Sequence, residues 1–167
     1  IVPLFVGRDA SIKAIENALT RYDKKIFLVT QKNPEKERPE GEDLYTLGTV
    51  SKILQLLRLP DGTIKVLFEG LYRARWDNKP DTLATGDEYP MATVEPLDDD
   101  ETENPEAVAL VRAVQDSLEA YAKVNKKLAQ ETVMAISSLT LPGRLADSVM
   151  PHLKVDFARK QQVLEEP

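Results

Sequence analysis

Three groups of residues have side chains suited to catalysis or metal binding, and each lacks something that its chemistry requires. His152 is the only histidine and the chain has no cysteine, so a zinc site would need carboxylates for most of its ligands. The acidic run Asp98–Glu101 lacks the spacing and the glycine of an EF-hand loop. Ser51 and Lys52 are adjacent, but neighbours on a β-strand point to opposite faces. The sequence therefore predicts no catalytic residue and no metal site.

A loop that binds the phosphates of a nucleotide has a recognisable sequence pattern. A P-loop needs glycine, then lysine, then serine or threonine, since the lysine must reach the phosphates. None of the seven glycines in the chain is followed by lysine. We therefore predict no cofactor and no enzymatic activity for these 167 residues.

Composition and charge narrow the possible partners. The chain has 22 basic and 28 acidic residues, a net charge of −6 and a pI near 5.0, so nucleic-acid binding through this chain is not expected. Its apolar runs are too short to cross a membrane. The lack of cysteine fits a reducing compartment. The chain opens on Ile1 rather than methionine, which suggests a piece of a longer protein.

The remaining elements are organised around a hairpin within Leu44–Trp76. Pro60, Asp61 and Gly62 form a turn signal between two apolar runs. After the turn, Ile64, Val66 and Phe68 alternate with other residues, which predicts a strand; the run before the turn is read as its partner strand rather than as a helix turn. Apolar residues occur on both faces of the hairpin, so we expect it at the centre of a sheet or small barrel. Gly70 indicates a bulge or bend in the second strand.

The segments around the hairpin complete an antiparallel β-subdomain with one helix. Strands are predicted at Ile1–Val6, Ile26–Thr30 and Tyr89–Val94. Between the first two, Ile12, Ile15 and Leu19 have helical spacing, with Asp9 or Ser11 as the cap. The charged segment Lys32–Asp43 is predicted to be a solvated loop.

A change of period from two to 3.6 marks a second subdomain. Asn104, Pro105 and Glu106 form a helix start, followed by an apolar face of Val108, Val111, Val114, Leu118 and Tyr121. Three shorter helices follow, within Leu128–Leu139, from Leu141 to Pro151, and after a cap at Asp156. We predict an α+β fold with a β-rich subdomain at 1–97, an acidic linker at 98–104 and a small helical bundle at 105–167.

Two further features of the second hairpin strand bear on binding. Phe68, Tyr72 and Trp76 are four residues apart, which places them on one face of a regular strand, and they are read either as a peptide-binding platform or as core. Arg73 and Arg75 are predicted on the opposite, solvated face.

Several segments in order resemble the N-terminal domain of the Lon family of ATP-dependent proteases. They are PLFVGRDASIKAIENAL, KKIFLVTQK, GTVSKILQLLRLPDGTIKVLFEGLYRARW and LADSVMPHLKVDFARKQQVLEE, which together span nearly the whole chain. The resemblance implies a PUA-like β-subdomain and a non-catalytic role. The ATPase module, which uses ATP and magnesium, and the serine peptidase module would lie later in a cytoplasmic parent protein.

The resemblance also implies partners. They are unfolded or tagged protein substrates, bound at an exposed β-edge or an apolar groove, and other subunits of a homohexamer. The alternative is a stand-alone Lon-domain adaptor or scaffold without a protease; a small-molecule enzyme is disfavoured. We predict that the contact surface combines a strand-to-helix corner with two outward aromatic side chains: Gly7, Arg8, Asp9, Lys13, Tyr72 and Trp76.

Overall fold

The computed structural model of the protein describes residues 1–78, 89–98, 104–125 and 127–166. The chain divides into two compact units, Ile1–Asp98 and Asp99–Pro167. A β-sheet and one long helix make up the first unit, and helices make up the second, so the predicted α+β class is confirmed. Most of the predicted linker at 98–104 lies outside the described residues.

The predicted hairpin is present at the centre of the first unit. Strand β3 (Leu47–Arg58) pairs with strand β4 (Ile64–Arg75) in antiparallel fashion. At the turn, Gly62 adopts a φ of 86°, a value that glycine reaches without strain. The Asp61 carboxylate accepts hydrogen bonds from the Thr63 hydroxyl (2.6 Å) and backbone N–H (2.9 Å). Both bonds favour the charged carboxylate and lower the pKa of Asp61.

The other strands flank this hairpin. Strand β2 (Lys25–Leu28) pairs with β3, whereas β1 (Val2–Val6) and β5 (Glu95–Pro96) both pair with β4. Every pairing is antiparallel, and the order is β1-β4-β3-β2. The predicted strand at Tyr89–Val94 is not observed. It was placed too early, because the residues that pair with the end of β4 are Glu95 and Pro96.

Helix α1 (Asp9–Arg21) covers one face of the sheet. Ile15 and Ala18 are each 2% exposed. They form the core of the first unit with four sheet residues, Ile53, Ile64, Val66 and Phe68. The helix begins one residue earlier than its predicted caps would allow: Arg8 is the N-cap and makes no side-chain capping bond, while Asp9 is the first helical residue. There its charge faces the positive end of the helix dipole.

A β-bulge in β4 decides which side chains share a face. Val50 is opposite Tyr72 but Ser51 is opposite Gly70, so Leu71 is an extra residue. The predicted irregularity at Gly70 is therefore confirmed. Because the bulge resets the alternation, Phe68 faces α1 whereas Tyr72 lies on the other face of the sheet. The prediction that Phe68 and Tyr72 belong to one aromatic row is wrong.

The described residues of the second unit form four α-helices: α2 (Pro105–Val124), α3 (Gln130–Ser137), α4 (Pro142–Val149) and α5 (Phe157–Glu165). The predicted caps are confirmed: the Asn104 side chain accepts from the N–H of Ala107 (2.7 Å), and that of Asp156 from the N–H of Arg159 (2.8 Å). The core consists of Val111, Leu118, Val133, Ile136, Leu145 and Val149.

One face of α2 differs from its prediction. Val111 and Leu118 are buried, but Val108 is 45% and Val114 is 39% exposed. The buried stripe instead includes Gln115, whose side-chain amide donates to the carbonyls of Ser137 and Leu139 (both 3.0 Å). A search for apolar residues does not identify position 115 as part of the packed face, because the residue there is polar. Its side chain satisfies carbonyl groups at the end of α3.

Candidate functional site

The predicted strand-to-helix corner is a real surface feature that holds a neighbouring loop. Gly7, Arg8 and Asp9 are exposed and Lys13 is half-buried. The Arg8 guanidinium donates to Oε1 of Gln31 (2.8 Å), and Nε2 of Gln31 donates to the carbonyl of Lys36 (2.6 Å). Arg8 therefore ties the start of α1 to the segment that follows β2.

That segment, Lys32–Asp43, is organised by its own contacts rather than simply solvated. The Lys36 ammonium lies 2.7 Å from Oδ2 of Asp43. The same carboxylate oxygen accepts from the N–H of Glu40 (2.7 Å) at the start of a 3-10 turn, Gly41–Asp43. These bonds, led by the one from Lys36, lower the pKa of Asp43, and the carboxylate in turn raises the pKa of Lys36.

The Asp43 contacts predict an acid-sensitive loop. A carboxylate whose pKa is lower in the folded state stabilises the fold above its unfolded pKa of about 3.9, and that contribution is lost as the pH falls through the folded pKa. We expect the Glu40 amide resonance to titrate below about pH 4 in NMR spectra of the chain. In an Asp43→Asn variant this transition should disappear. A Glu40 resonance that does not move in the parent chain would contradict the assignment.

Trp76 does not belong to the predicted contact surface. Its side chain is 2% exposed, and the indole N–H donates to the carbonyl of Tyr45 (2.9 Å). Gly41 packs over the same ring, since a Cβ built on Gly41 would lie 3.6 Å from a Trp76 ring carbon. The prediction of an outward Trp76 is wrong because a loop distant in sequence covers this end of β4.

The two parts of the predicted site are also far apart. Tyr72 is 41% exposed and lies opposite Val50. The corner follows Val6, which is opposite Ile64 at the other end of β4. At about 3.3 Å per residue, the distance along β4 between these positions is about 25 Å. Arg73 is only 7% exposed, so its predicted place on a solvated face is wrong; the extra residue Leu71 moves it to the face of the sheet that Phe68 occupies.

The feature that sequence reasoning missed is an apolar area on the sheet face away from α1. Directly opposite residues of antiparallel strands share a face. Phe5 is opposite Lys65, which is opposite Leu57, and in the next row Pro3 is opposite Leu67. Their neighbours Val66 and Phe68 point to α1. We call Pro3, Phe5, Leu57 and Leu67 the open face.

The open face is accessible in the structure. Phe5 is 69% and Leu57 is 54% exposed, Pro3 is exposed and Leu67 is half-buried. The Lys65 ammonium lies 5.6 Å from the centroid of the Phe5 ring, within range of a cation–π contact. Single exposed apolar residues are common on proteins, whereas contiguous exposed apolar patches mark interaction sites.

A signal for the open face is present in the sequence. Strand β1 has apolar residues at both parities, Val2, Leu4 and Val6 on one and Pro3 and Phe5 on the other. Only one helix is predicted in the β-subdomain, and one helix covers one face. The sequence interpretation instead assigned both apolar faces of the hairpin to a buried position.

The second unit offers a smaller candidate. A shallow depression of about 420 Å³ lies beside α2 and α3. It is lined by the apolar residues Ala122, Leu128, Val133 and Met134 and by the polar residues Glu119, Lys123 and Gln130.

The open face suits apolar contact rather than chemistry. Among the residues that the structure describes, no group of three or more histidine, aspartate or glutamate side chains is placed to hold a metal ion. The described helices include none with the length and apolar character needed to span a membrane.

Comparison with known proteins places this chain beside one family. The family described as "ATP-dependent protease La (LON) substrate-binding domain" matches residues 1–167. The chain is 62% identical to Lon protease of Nitratidesulfovibrio vulgaris over 166 residues and 44% identical to Lon protease of Escherichia coli K12 over 165. Each alignment covers 99% of the chain but 20% of the relative, so the chain spans about a fifth of the length of these proteins.

Solved structures give the same likeness. The chain is similar to the N-terminal domain of Mycobacterium avium complex Lon protease, with a TM-score of 0.72, 25% identity, and coverage of 99% of this chain and 81% of that one. It also shares its fold with a Lon N-terminal domain protein from Xanthomonas campestris, with a TM-score of 0.61 and 13% identity over 99% of this chain and 80% of that one.

Proposed function

This chain belongs to the family of Lon substrate-binding domains, and from that premise we propose that it recognises unfolded or tagged proteins and receives their apolar segments on the open face. The observation that supports the location is the row of Phe5, Lys65 and Leu57 across three strands, with both apolar members more than half exposed. An unfolded protein differs from a folded one in exposing such apolar side chains, so an apolar surface selects for it.

The proposed contact is weak for a single domain. Each buried Å² of apolar surface contributes roughly 25 cal/mol before the entropy of ordering the segment is subtracted. The open face as defined has four apolar residues, a small area for one domain to bind with. Several copies in one assembly would raise the effective concentration of the segment, and the proposal includes a hexameric parent for that reason.

The proposed surface extends beyond the open face. The corner of Gly7, Arg8, Asp9 and Lys13 follows Phe5 directly along the chain, and Tyr72 lies on the same sheet face farther along β4. We keep both as proposed secondary contacts, and exclude Trp76 because it is buried. An extended segment laid along β4 would run from Tyr72 to the end of the strand where the corner begins, since it has about the same rise per residue as the strand.

The proposed parent is a cytoplasmic ATP-dependent serine protease involved in protein quality control. ATP and magnesium would bind to modules outside this chain, which itself is proposed to be non-catalytic. The fact that the relatives named above are about five times as long as the aligned region supports this reading over the stand-alone adaptor.

A double substitution tests the location. A Phe5→Ser/Leu57→Ser variant should bind a fluorescent, permanently unfolded protein at least about tenfold more weakly than the parent chain, because two apolar contacts of roughly 1 kcal/mol each are removed. The measurement is a fluorescence anisotropy titration, with circular dichroism to confirm folding.

A matched control removes equally exposed apolar residues elsewhere. Leu110 and Val124 of α2 are 60% and 81% exposed, and a Leu110→Ser/Val124→Ser variant should bind nearly as the parent does. An equal loss in both variants would assign binding to general surface hydrophobicity. Unchanged binding by the folded Phe5→Ser/Leu57→Ser variant would refute the open face as the site.

A further inference from the structure

The charged residues beside the open face are mostly positive, although the chain as a whole is acidic. Lys25 of β2 is opposite Lys52 of β3, which is opposite Glu69 of β4. Glu69 shares its face with Leu67 and Lys65, because the three alternate along β4 without a bulge between them. On this face, strands β1–β4 carry three lysines and one glutamate, in a protein whose net charge is −6.

The pair formed by Lys25 and Lys52 is unfavourable by itself. Directly opposite residues have Cα atoms about 4.5–5.5 Å apart, and like charges in that position repel. Lys52 is half-buried and Lys25 is exposed, so an anion can approach both. A ligand carboxylate between the two ammonium groups would be attracted by both, and would lie on the side of Lys52 away from Glu69.

The spacing fits an extended peptide. Lys65 and Glu69 lie four residues apart on β4. The cross-strand row of Lys65 contains Leu57 and Phe5 of the open face, and the row of Glu69 contains Lys52 and Lys25. Four residues of extended chain span about 13 Å, so a segment laid over β3, beside β4, would place an apolar side chain on Leu57 and its residue four positions away beside Lys52.

We propose that this surface selects extended segments whose apolar residues are flanked by aspartate or glutamate, with the carboxylate held between Lys25 and Lys52. The inference rests on the proposed function and adds a substrate class to it. Peptide carboxylates are favoured over nucleic-acid phosphates because the surrounding net charge is negative, which opposes a polyanion along its whole length.

Three peptides with one apolar core test the proposal. Their flanking residues are aspartate, asparagine or lysine, and affinities for the 167-residue chain are measured by fluorescence anisotropy. The aspartate peptide should bind about three- to tenfold more tightly than the asparagine peptide, as expected for two partly exposed ion pairs. Raising the salt concentration from about 0.05 to 0.5 M should reduce this ratio.

A Lys25→Gln/Lys52→Gln variant should bring the aspartate and asparagine peptides to equal affinity while leaving the asparagine peptide's affinity unchanged. The matched control is Lys127→Gln/Lys154→Gln on the second unit, which should keep the preference. Equal binding of the two peptides by the parent chain would overturn the inference, as would a preference that survives in the Lys25/Lys52 variant.

The same titrations separate this inference from the proposed function. If the asparagine peptide binds the parent chain but not the Phe5→Ser/Leu57→Ser variant, the open face is supported as the binding site. That conclusion does not depend on whether aspartate flanks raise the affinity. If no peptide binds, the proposed function fails and this inference fails with it. Displacement of the aspartate peptide by an equal charge of single-stranded oligonucleotide would assign the lysines to phosphate instead and overturn the proposal.

Discussion

A Gly48→Ala variant is expected to lose at least about 3 kcal/mol of unfolding free energy, the upper part of the usual range for overpacking. A Cβ built on Gly48 would overlap the carbonyl oxygen of Leu28 and lie 2.8 and 2.9 Å from two ring carbons of Phe27. The Leu28 oxygen belongs to the backbone of β2, which pairs with β3 at this point. It cannot rotate away, so the two strands must separate.

The measurement for Gly48→Ala is urea unfolding followed by circular dichroism. Gly70→Ala is the matched control, since it also adds one methyl group to the same hairpin, but its Cβ would lie 3.4 Å from a Thr49 methyl carbon, an ordinary contact. We expect that control to change stability by less than about 1 kcal/mol. If the two variants lose similar amounts of unfolding free energy, the close approach of β2 and β3 is not the cause of the destabilisation by Gly48→Ala.

A Phe68→Ala variant should cost about 3–5 kcal/mol, the usual range for removing a buried aromatic ring. Phe68 is 1% exposed and packs with Ile15 and Ala18 beneath α1. Phe5→Ala makes the same chemical change on the uncovered side of the sheet, where the ring is 69% exposed, and should cost less than about 1 kcal/mol.

Chemical denaturation of both phenylalanine variants, monitored by far-ultraviolet circular dichroism, distinguishes the two faces of the sheet. If Phe5→Ala proves as destabilising as Phe68→Ala, the open face must be packed in solution. Such a result would also remove Phe5 from the proposed binding surface.

Much of the fold is readable from the sequence because local chemistry determines it. The turn at Pro60–Gly62, the alternation of Ile64, Val66 and Phe68, and the caps at Asn104 and Asp156 are all present as predicted. Each depends on residues within a few positions of one another. That proximity is why a pattern of side chains is enough to identify them.

The errors occur where residues distant in sequence decide the outcome. Trp76 has the position of an outward aromatic, but Gly41 and Tyr45 cover it. The extra residue Leu71 moves Tyr72 and Arg73 to the faces opposite those expected from counting from Phe68.

The candidate site illustrates the same limit in another way. Phe5 and Leu57 are apolar and occur in strands, so their sequence context indicates core. Their exposure follows from the number of covering elements, since α1 packs on one face of the sheet only. Whether an apolar strand face is covered is a property of the assembled unit and not of the strand.

The pairing of β1 with β4 bears on the order in which this surface is assembled during folding. Residues 2–6 pair with residues 64–68, whereas β3 and β4 are joined by a short turn. Closing a long loop costs more entropy than closing a hairpin, so we expect the hairpin to form early and β1 to dock late. Phe5 then reaches Lys65 and Leu57 only when the core beneath α1 is closing. A newly synthesised chain would therefore complete the surface proposed to bind unfolded proteins only near the end of its own folding.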